Sequence, residues 1–247
     1  MKWTTAISQV SDGEERVRGY DLKELIGHLS FAQTVWLVLK GDLPSDSQVK
    51  MLEAMLVASV EHGIGTPSAM AARLIASGGS PLNAAVAGGL LALGDYHGGA
   101  IEGAAKIFQA AVKEGKSAAQ VVVEMKSRGE RVPGFGHRVL TVDPRAEKLI
   151  QLAKEFNLAG AHVKLVEDIF AELNREASKK LPLNIDGAMA AIISDLGFDW
   201  QLAKGFFMIG RMVGLIAHAH EEKTREKPVR RLEPEECDYT GPTPRNL

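Results

Sequence analysis

The sequence predicts an all-α fold. Apolar residues recur at helical spacing along most of the chain, and the alternation typical of strands hardly appears. Glycine and proline interrupt these segments at short turns, for example at Gly115, Gly129 and Leu181-Pro182. A chain of 247 residues with 45% hydrophobic residues is long enough to bury a core in one domain, or in a large and a small lobe.

The helices can be assigned in order along the chain. Ser45 is the expected N-cap of a helix that stops near Gly63, and residues 68–77 repeat the helical pattern. A helix over residues 81–93 is rich in alanine and glycine, which predicts close contact with another helix, within or between subunits. Further helices are predicted at residues 101–113, 118–126, 144–156, 162–179, 187–196 and 200–222, followed by an extended, charged and proline-containing arm over residues 223–247.

Charge and cysteine content argue against several classes of protein. The net charge is −2 and only residues 223–231 are locally basic, so a nucleic-acid partner is not expected. Cys237 is the single cysteine, which precludes an internal disulfide framework or a thiolate metal cluster and favours a reducing compartment. There is no apolar signal segment, and no run approaches the roughly 20 apolar residues of a membrane span. We therefore expect a cytoplasmic protein that does not enter a membrane.

Three short segments carry the residue types that acid–base chemistry at a carbonyl requires. They are His97-Gly98-Gly99, Gly134-Phe135-Gly136-His137-Arg138 and Asn184-Ile185-Asp186-Gly187, each beside a predicted helix end. A carboxylate can take a proton from carbon, while two imidazoles can donate hydrogen bonds to oxygens on which charge develops. Each segment also has a structural alternative: His97 as a capping residue, the second segment as an ordinary loop, and Asp186 as the N-cap of its helix.

Arginines and the remaining histidines bear on ligands. Arg138 and Arg145 lie near exposed backbone amides, where two guanidinium groups can bind a phosphate or a carboxylate in bidentate fashion. A metal site is not expected, because His218 and His220 are two residues apart and point to different faces of a helix.

Six segments, in order, resemble the citrate synthase superfamily, and in particular its short members, citryl-CoA lyase and the carboxy-terminal lyase module of ATP-citrate lyase. The distance between Pro44 and His62 is much shorter than in full-length citrate synthases, which favours the lyase type. The similar segments are residues 18–22 with 31–44, the Glu61-His62-Gly63 motif, residues 94–100, 133–145 and 184–187, and the arginine-bearing helix at 210–216.

The resemblance implies a role for each candidate residue. His97 would hydrogen-bond to the thioester oxygen, His137 to the oxygen of the four-carbon keto acid, and Asp186 would be the base at carbon. Carboxylates of the substrate would be bound by His62, Arg145 and Arg211. An arginine from the arm of another subunit would complete the site, with Arg225, Arg230 and Arg231 as candidates. Coenzyme A would be bound by Val132, Pro133, Gly134, Phe135, Gly136 and Arg138.

The implied activity is the cleavage of citryl-CoA to acetyl-CoA and oxaloacetate, or the reverse condensation. A citrate synthase is the first alternative. A 2-methylcitrate synthase is a second, since one extra methylene in the acyl group changes the binding free energy by only about 1–3 kcal/mol. A further alternative is a noncatalytic, coenzyme A-binding subunit of a citryl-CoA synthetase complex. The resemblance also implies an intertwined homodimer with a large helical lobe and a small lobe over about residues 104–203. It implies a thioester substrate and neither a tightly bound cofactor nor a metal. A citryl-CoA synthetase is a candidate partner that no feature of the sequence identifies.

Overall fold

A computed structural model describes residues 2–11, 13–137, 141–175, 177 and 180–246, and within these the all-α prediction is confirmed. The chain divides into two compact units, one of residues 1–61 and 94–211 and the other of residues 62–93 and 212–247. The helices of the described residues are α1 Leu22–Leu25, α2 Phe31–Lys40, α3 Asp46–Ser59, α4 Pro67–Ser77, α5 Leu82–Leu91, α6 Ala100–Lys113, α7 Ala118–Ser127, α8 Pro144–Glu155, α9 Ala161–Asn174, α10 Ile185–Asp195 and α11 Ala203–Arg225, with 3-10 turns at Trp200–Leu202 and Pro234–Glu236.

The helix starts follow the sequence signals closely. Ser45 is the N-cap of α3, as predicted, and forms a capping box with Gln48. Ser30 with Gln33 and Ser117 with Gln120 form the same reciprocal arrangement at α2 and α7. Helix α9 ends at Asn174, earlier than the predicted residue 179, and the side chain of Asn174 bonds to the Leu181 backbone through both its amide nitrogen and its oxygen.

A small antiparallel sheet at the N-terminus was not predicted. Its strands are β1 Ser8–Ser11, β2 Glu14–Val17 and β3 Tyr20–Asp21, in the order β1-β2-β3. The strands are short and largely exposed, so they need no apolar alternation and leave no pattern in the sequence. Arg18 and Gly19 both have positive φ in the β2–β3 turn, which is the conformation of a tight type I′ hairpin turn.

Helix α10 is the central element of the first unit. Every residue from Ile185 to Ser194 except Asp186 is buried, and the helix packs against α6, α8 and α9. A second part of this core is aromatic, where Phe198 makes edge-to-face contacts with Trp36 and Phe206 at centroid distances of 4.8 Å. A helix surrounded by other helices is a rigid support for any side chain at its ends.

In the second unit, the alanine and glycine residues of α5 allow the close helix contact that was predicted. A Cβ atom at Gly89 would lie 2.9 Å from the Ser68 carbonyl oxygen and 3.1 Å from the Cβ of Ala72, both on α4. Leu215 of α11 packs with Ala72 and Val86. The contact therefore joins helices of one chain, and a contact between subunits stays a prediction.

Helix α11 differs from the expectation that no segment reaches the length of a membrane span. The segment Trp200–Arg225 is long and apolar enough to cross a membrane by length and composition alone, and 44% of its most apolar window is buried inside the protein. The core helices of soluble proteins meet the same criterion. Phe206, Leu215 and Ala219 are fully buried, as in a core helix.

Candidate active site

Asp186 lies in the first turn of α10 but does not cap it. The N-cap is Asn184, whose side-chain oxygen accepts hydrogen bonds from the backbone N–H groups of Asp186 (3.0 Å) and Gly187 (3.2 Å). The structural alternative for Asp186, that it serves as the N-cap, is therefore wrong. Its carboxylate is left for another use.

The Asp186 carboxylate combines burial with a missing hydrogen-bond donor at one of its oxygens in the described part of the chain. Its Oδ1 is buried, and no group among the described residues donates a hydrogen bond to it. Burial raises the pKa of Asp186 from 3.8 to about 6; the positive charges of Arg145 and Arg211 oppose this shift, and the negative charge of Asp143 adds to it. A carboxyl with a pKa near neutral pH is suited to accept and return a proton.

A glycine-containing loop carries His137 and is held against the start of α10. The Gly136 N–H donates to the Pro182 carbonyl (2.7 Å), and Asn184 donates its N–H to the Gly134 carbonyl (3.0 Å) and its side-chain Nδ2 to the Gly136 carbonyl (2.9 Å). Gly134 has a φ of +88°, and a Cβ there would lie 2.5 Å from the Cα of Gly187. This close approach requires glycine at both positions. The predicted segments that carry His137 and Asp186 are therefore in direct contact.

His137 and Asp186 line the same cavity, which has a volume of about 950 Å³. Val132, Phe135 and Gly136, three of the predicted coenzyme A-binding residues, also line it. The size suits a ligand larger than a simple carboxylic acid. Three cations on its wall were not predicted as site residues: Lys126, Arg131 and Lys180.

His97 lies in a tight turn at the edge of this cavity. Its neighbours Tyr96 and Gly98 line the cavity, and the His97 N–H donates to the Gly94 carbonyl (2.9 Å). Gly98 has a φ of +73°, and a Cβ at Gly99 would lie 2.5 Å from the Gly94 carbonyl oxygen. The two glycines thus allow a turn that other residues would strain, and His97 itself is half-buried.

Arg145 and Arg211 are held in different ways. The Arg145 guanidinium donates from Nε to Oδ1 of Asp143 (3.0 Å) and from Nη2 to Oδ2 (2.9 Å). Arg211 is 2% exposed, donates from Nε to the Ser59 carbonyl (3.0 Å) and lies over the ring of Phe207. Burial lowers the pKa of Arg211, although the charge of Glu61 opposes this. Both guanidinium groups are close enough to Asp186 to affect its pKa.

The remaining predicted site residues belong to the second unit, to the loop that carries His137, or to the part of the chain that is not described. Arg138 is outside the described residues, while His62 and Arg225 belong to the second unit. Arg225 is exposed and pairs with Glu221 at 3.2 Å. Arg230 is bound within its own chain by Glu222, whose buried carboxylate also binds Arg73. Pro133 and Gly134 are in the loop described above.

A family model for the citrate synthase C-terminal domain matches residues 45–232. The chain belongs to the citrate synthase family. A solved structure of citryl-CoA lyase from Hydrogenobacter thermophilus is 48% identical and superposes with a TM-score of 0.95, covering 99% of this chain and 97% of that one. The ATP citrate lyase of Methanosaeta concilii, solved in complex with (3S)-citryl-CoA, is 26% identical with a TM-score of 0.87, and covers 98% of this chain and 42% of that one.

Other relatives are longer proteins. A probable ATP-citrate synthase of Dictyostelium discoideum is 29% identical over 237 residues, which is 89% of this chain and 36% of the relative. The chain thus spans about a third of that relative's length. As a member of the citrate synthase family it has the predicted helical fold, and the predicted resemblance to citryl-CoA lyase and to the lyase module is confirmed.

Sequence reasoning missed one acidic residue of this citrate synthase-family site, Asp143. It is fully buried, caps helix α8 and binds both Arg145 and the backbone of Ile185. The signal was available, because Asp followed by Pro is typical of a helix start. No metal-binding group of three or more His, Cys, Asp or Glu side chains occurs in the described part of the chain.

Proposed function

We propose that this chain is a citryl-CoA lyase, which cleaves citryl-CoA to acetyl-CoA and oxaloacetate and catalyses the reverse condensation. The observation that carries the proposal is the enclosed Asp186 carboxylate, with its raised pKa, in a cavity that His137 also lines. The match over nearly the whole length of a citryl-CoA lyase supports the lyase over longer members of the family.

The proposed cleavage moves one proton from oxygen to carbon. His137 accepts the proton of the citryl-CoA hydroxyl. At the same time the bond breaks between the hydroxyl-bearing carbon and the methylene next to the thioester. The electron pair of that bond forms the enolate of acetyl-CoA, and His97 donates a hydrogen bond to its oxygen. Asp186, protonated at the start, delivers its proton to the enolate carbon, which completes acetyl-CoA. His137 then loses a proton to solvent and Asp186 regains one, so that no net proton is taken up. In the condensing direction Asp186 removes this proton instead.

The substrate carries several negative charges that fixed cations must offset. Arg145 and Arg211 are the proposed carboxylate ligands, and both affect the pKa of Asp186 through their charge. His62 and Arg225 enter the proposal through the family resemblance alone. Coenzyme A would use Val132, Pro133, Gly134, Phe135, Gly136 and Arg138, and the cations Lys126, Arg131 and Lys180 on the cavity wall are suited to its phosphates. The thioester is a substrate, and no tightly bound cofactor or metal is proposed.

The proposal includes a homodimer in the cytoplasm. In the second unit, α4, α5 and the C-terminal part of α11 expose large apolar side chains, among them Leu74, Leu91 and Val213. A second copy of the chain would cover such side chains, which monomeric proteins rarely expose as a group. A citryl-CoA synthetase that supplies the substrate is the proposed functional partner.

The first experiment is to give the purified protein citryl-CoA and measure two products at once. Oxaloacetate is followed through NADH oxidation by a coupling dehydrogenase, and free thiol through a colorimetric reagent. Oxaloacetate without thiol is the expected result. Thiol with citrate would instead indicate a synthase that hydrolyses the intermediate, and neither product, with coenzyme A binding intact, would indicate the noncatalytic subunit.

A further inference from the structure

Asp143 joins two segments of the site that are distant in sequence. Its Oδ1 accepts hydrogen bonds from the backbone N–H (3.1 Å) and Nε (3.0 Å) of Arg145. Its Oδ2 accepts from Nη2 of Arg145 (2.9 Å) and from the backbone N–H of Ile185 (3.0 Å). The side chain is fully buried. Charge-assisted bonds of this kind are shorter and stronger than neutral ones, and here they tie the start of α8 to the start of α10.

The bond to Ile185 completes the first turn of α10. The first N–H groups of a helix have no partner within the helix. Asn184 accepts from Asp186 and Gly187, and Asp143 accepts from Ile185, so the backbone on both sides of the Asp186 side chain is fixed. A side chain on a fixed helix turn can be held in one position relative to a bound substrate.

The bonds to Arg145 orient the other functional group. Two parallel N–H groups of the guanidinium meet the two oxygens of one carboxylate, which sets the plane of the guanidinium. Burial opposes ionisation of Asp143, but the hydrogen bonds and charge of Arg145 and the Ile185 N–H together hold the pKa of Asp143 below its ordinary value. Asp143 is therefore a fixed negative charge beside both groups.

We propose that Asp143 is a positioning residue, which holds the carboxylate-binding Arg145 and the carbon base Asp186 in one fixed relation. The inference rests on the proposed function. It assigns to Asp143 no contact with the substrate and no proton transfer. Its loss should therefore change substrate binding and turnover together, through Arg145 and Asp186 respectively.

The test is Asp143→Asn, assayed in the condensing direction with acetyl-CoA and oxaloacetate. The asparagine amide has only one acceptor oxygen, so it cannot accept the full set of hydrogen bonds from Arg145 and the Ile185 N–H that the carboxylate accepts. We therefore expect kcat to fall about 10- to 100-fold and KM for oxaloacetate to rise about tenfold. Loss of the negative charge also removes one cause of the raised pKa of Asp186. The acid limb of kcat/KM should therefore move to lower pH, by about half a unit or more.

The matched control is Asp195→Asn, because Asp195 is a second buried aspartate at the other end of α10. It should lower stability but leave KM and the acid limb as in the wild type. If Asp143→Asn also lowers stability alone, Asp143 is merely structural and the inference is wrong. A wild-type protein with no condensing or cleaving activity would refute the proposed function itself, and the inference with it.

If Asp143→Asn does not fold, Ile185→Pro provides the same test. Proline is tolerated at the first position of a helix and lacks the N–H that Asp143 binds. We expect kcat to fall about tenfold with KM for oxaloacetate unchanged, since Arg145 keeps its partner. Ile185→Ala, which loses the side chain but keeps the N–H, should retain the wild-type kcat. Equal kcat values for the two variants would contradict the inference.

Discussion

Helix α10 carries one aspartate in its first turn, Asp186, and another at its last residue, Asp195. Asp195 is well supplied with donors: its Oδ2 accepts from the backbone N–H groups of Gly160 (2.7 Å) and Val163 (2.9 Å), and its Oδ1 accepts from that of His162 (2.9 Å). Nδ1 of His162 also lies 2.8 Å from Oδ1. At Asp186, in contrast, no described residue donates to the buried Oδ1.

The pKa values of the two carboxyl groups are consequently shifted in opposite directions. Burial disfavours ionisation of both, but at Asp195 the hydrogen bonds from His162 and the neighbouring backbone hold the pKa below its ordinary value. At Asp186 burial prevails and the pKa is about 6. A buried charge without hydrogen-bond donors costs stability, and such groups cluster at functional sites. Hydrogen bonds therefore stabilise the charge at the Asp195 end of the helix, whereas at the Asp186 end the proposed base receives none at Oδ1 from any residue that the structure describes.

The largest effect that this comparison predicts is on turnover. Asp186→Asn keeps the shape of the side chain but cannot transfer the proton, so we expect citryl-CoA cleavage to fall by about 10³-fold. Asp195→Asn should cleave at the wild-type rate once its folded fraction is matched. Coupled measurement of oxaloacetate checks both. Full activity in the Asp186 variant would refute the mechanism.

The same pair of variants should change stability in opposite directions. The pKa of Asp186 is 3.8 in the unfolded chain and about 6 in the folded one. Its contribution to the free energy of unfolding is therefore fully present at low pH and is lost as the pH rises from about 4 through 6. Asp186→Asn should therefore be more stable than wild type by up to about 3 kcal/mol at pH 8, with the gain vanishing near pH 4. Asp195 has a lowered pKa, so it contributes stability at neutral pH that is lost on acidification.

Asp195→Asn should accordingly cost about 1–3 kcal/mol at pH 8 and less at low pH. Urea unfolding of the three proteins at pH 8 and pH 4 measures these differences. Equal destabilisation of both variants at pH 8 would contradict this difference, because it would mean that Oδ1 of Asp186 has a donor that none of the described residues supplies in the structure.

A smaller effect is expected in the pH dependence of the reaction. Condensation requires ionised Asp186, so kcat/KM should fall about tenfold per pH unit below about 6. The reaction takes up no net proton, so its equilibrium constant does not depend on pH. The kcat/KM for cleavage must therefore show the same limb as the kcat/KM for condensation. Initial rates from pH 4.5 to 8 test this, with Asp195→Asn as the control that should keep the limb. A limb near 4 would mean that Asp186 is solvated in the working enzyme.

The comparison also explains what the sequence could and could not reveal. Ser45 was identified from sequence because caps are local signals, and Asp186 became a candidate because it stands beside glycine at a helix break. Asp143 was missed, since its role depends on Ile185, 42 residues away. The contact of Gly134 with Gly187 is similarly nonlocal, so each glycine was noticed but not their approach. The polar N-terminal strands had no apolar face to mark them.

The smallest predicted effect concerns Asn184, which caps α10 in place of Asp186. Asn184→Ala removes the acceptor for the Asp186 and Gly187 N–H groups and the donor to the Gly136 carbonyl, which should cost about 1–2 kcal/mol of unfolding free energy. Asn184→Ser keeps a capping oxygen and loses only the donor, so it should recover about half of that cost. Urea unfolding distinguishes the two variants. If alanine and serine are equally destabilising, the cap contributes little, and the bond to Gly136 is what holds the His137 loop against the first turn of α10.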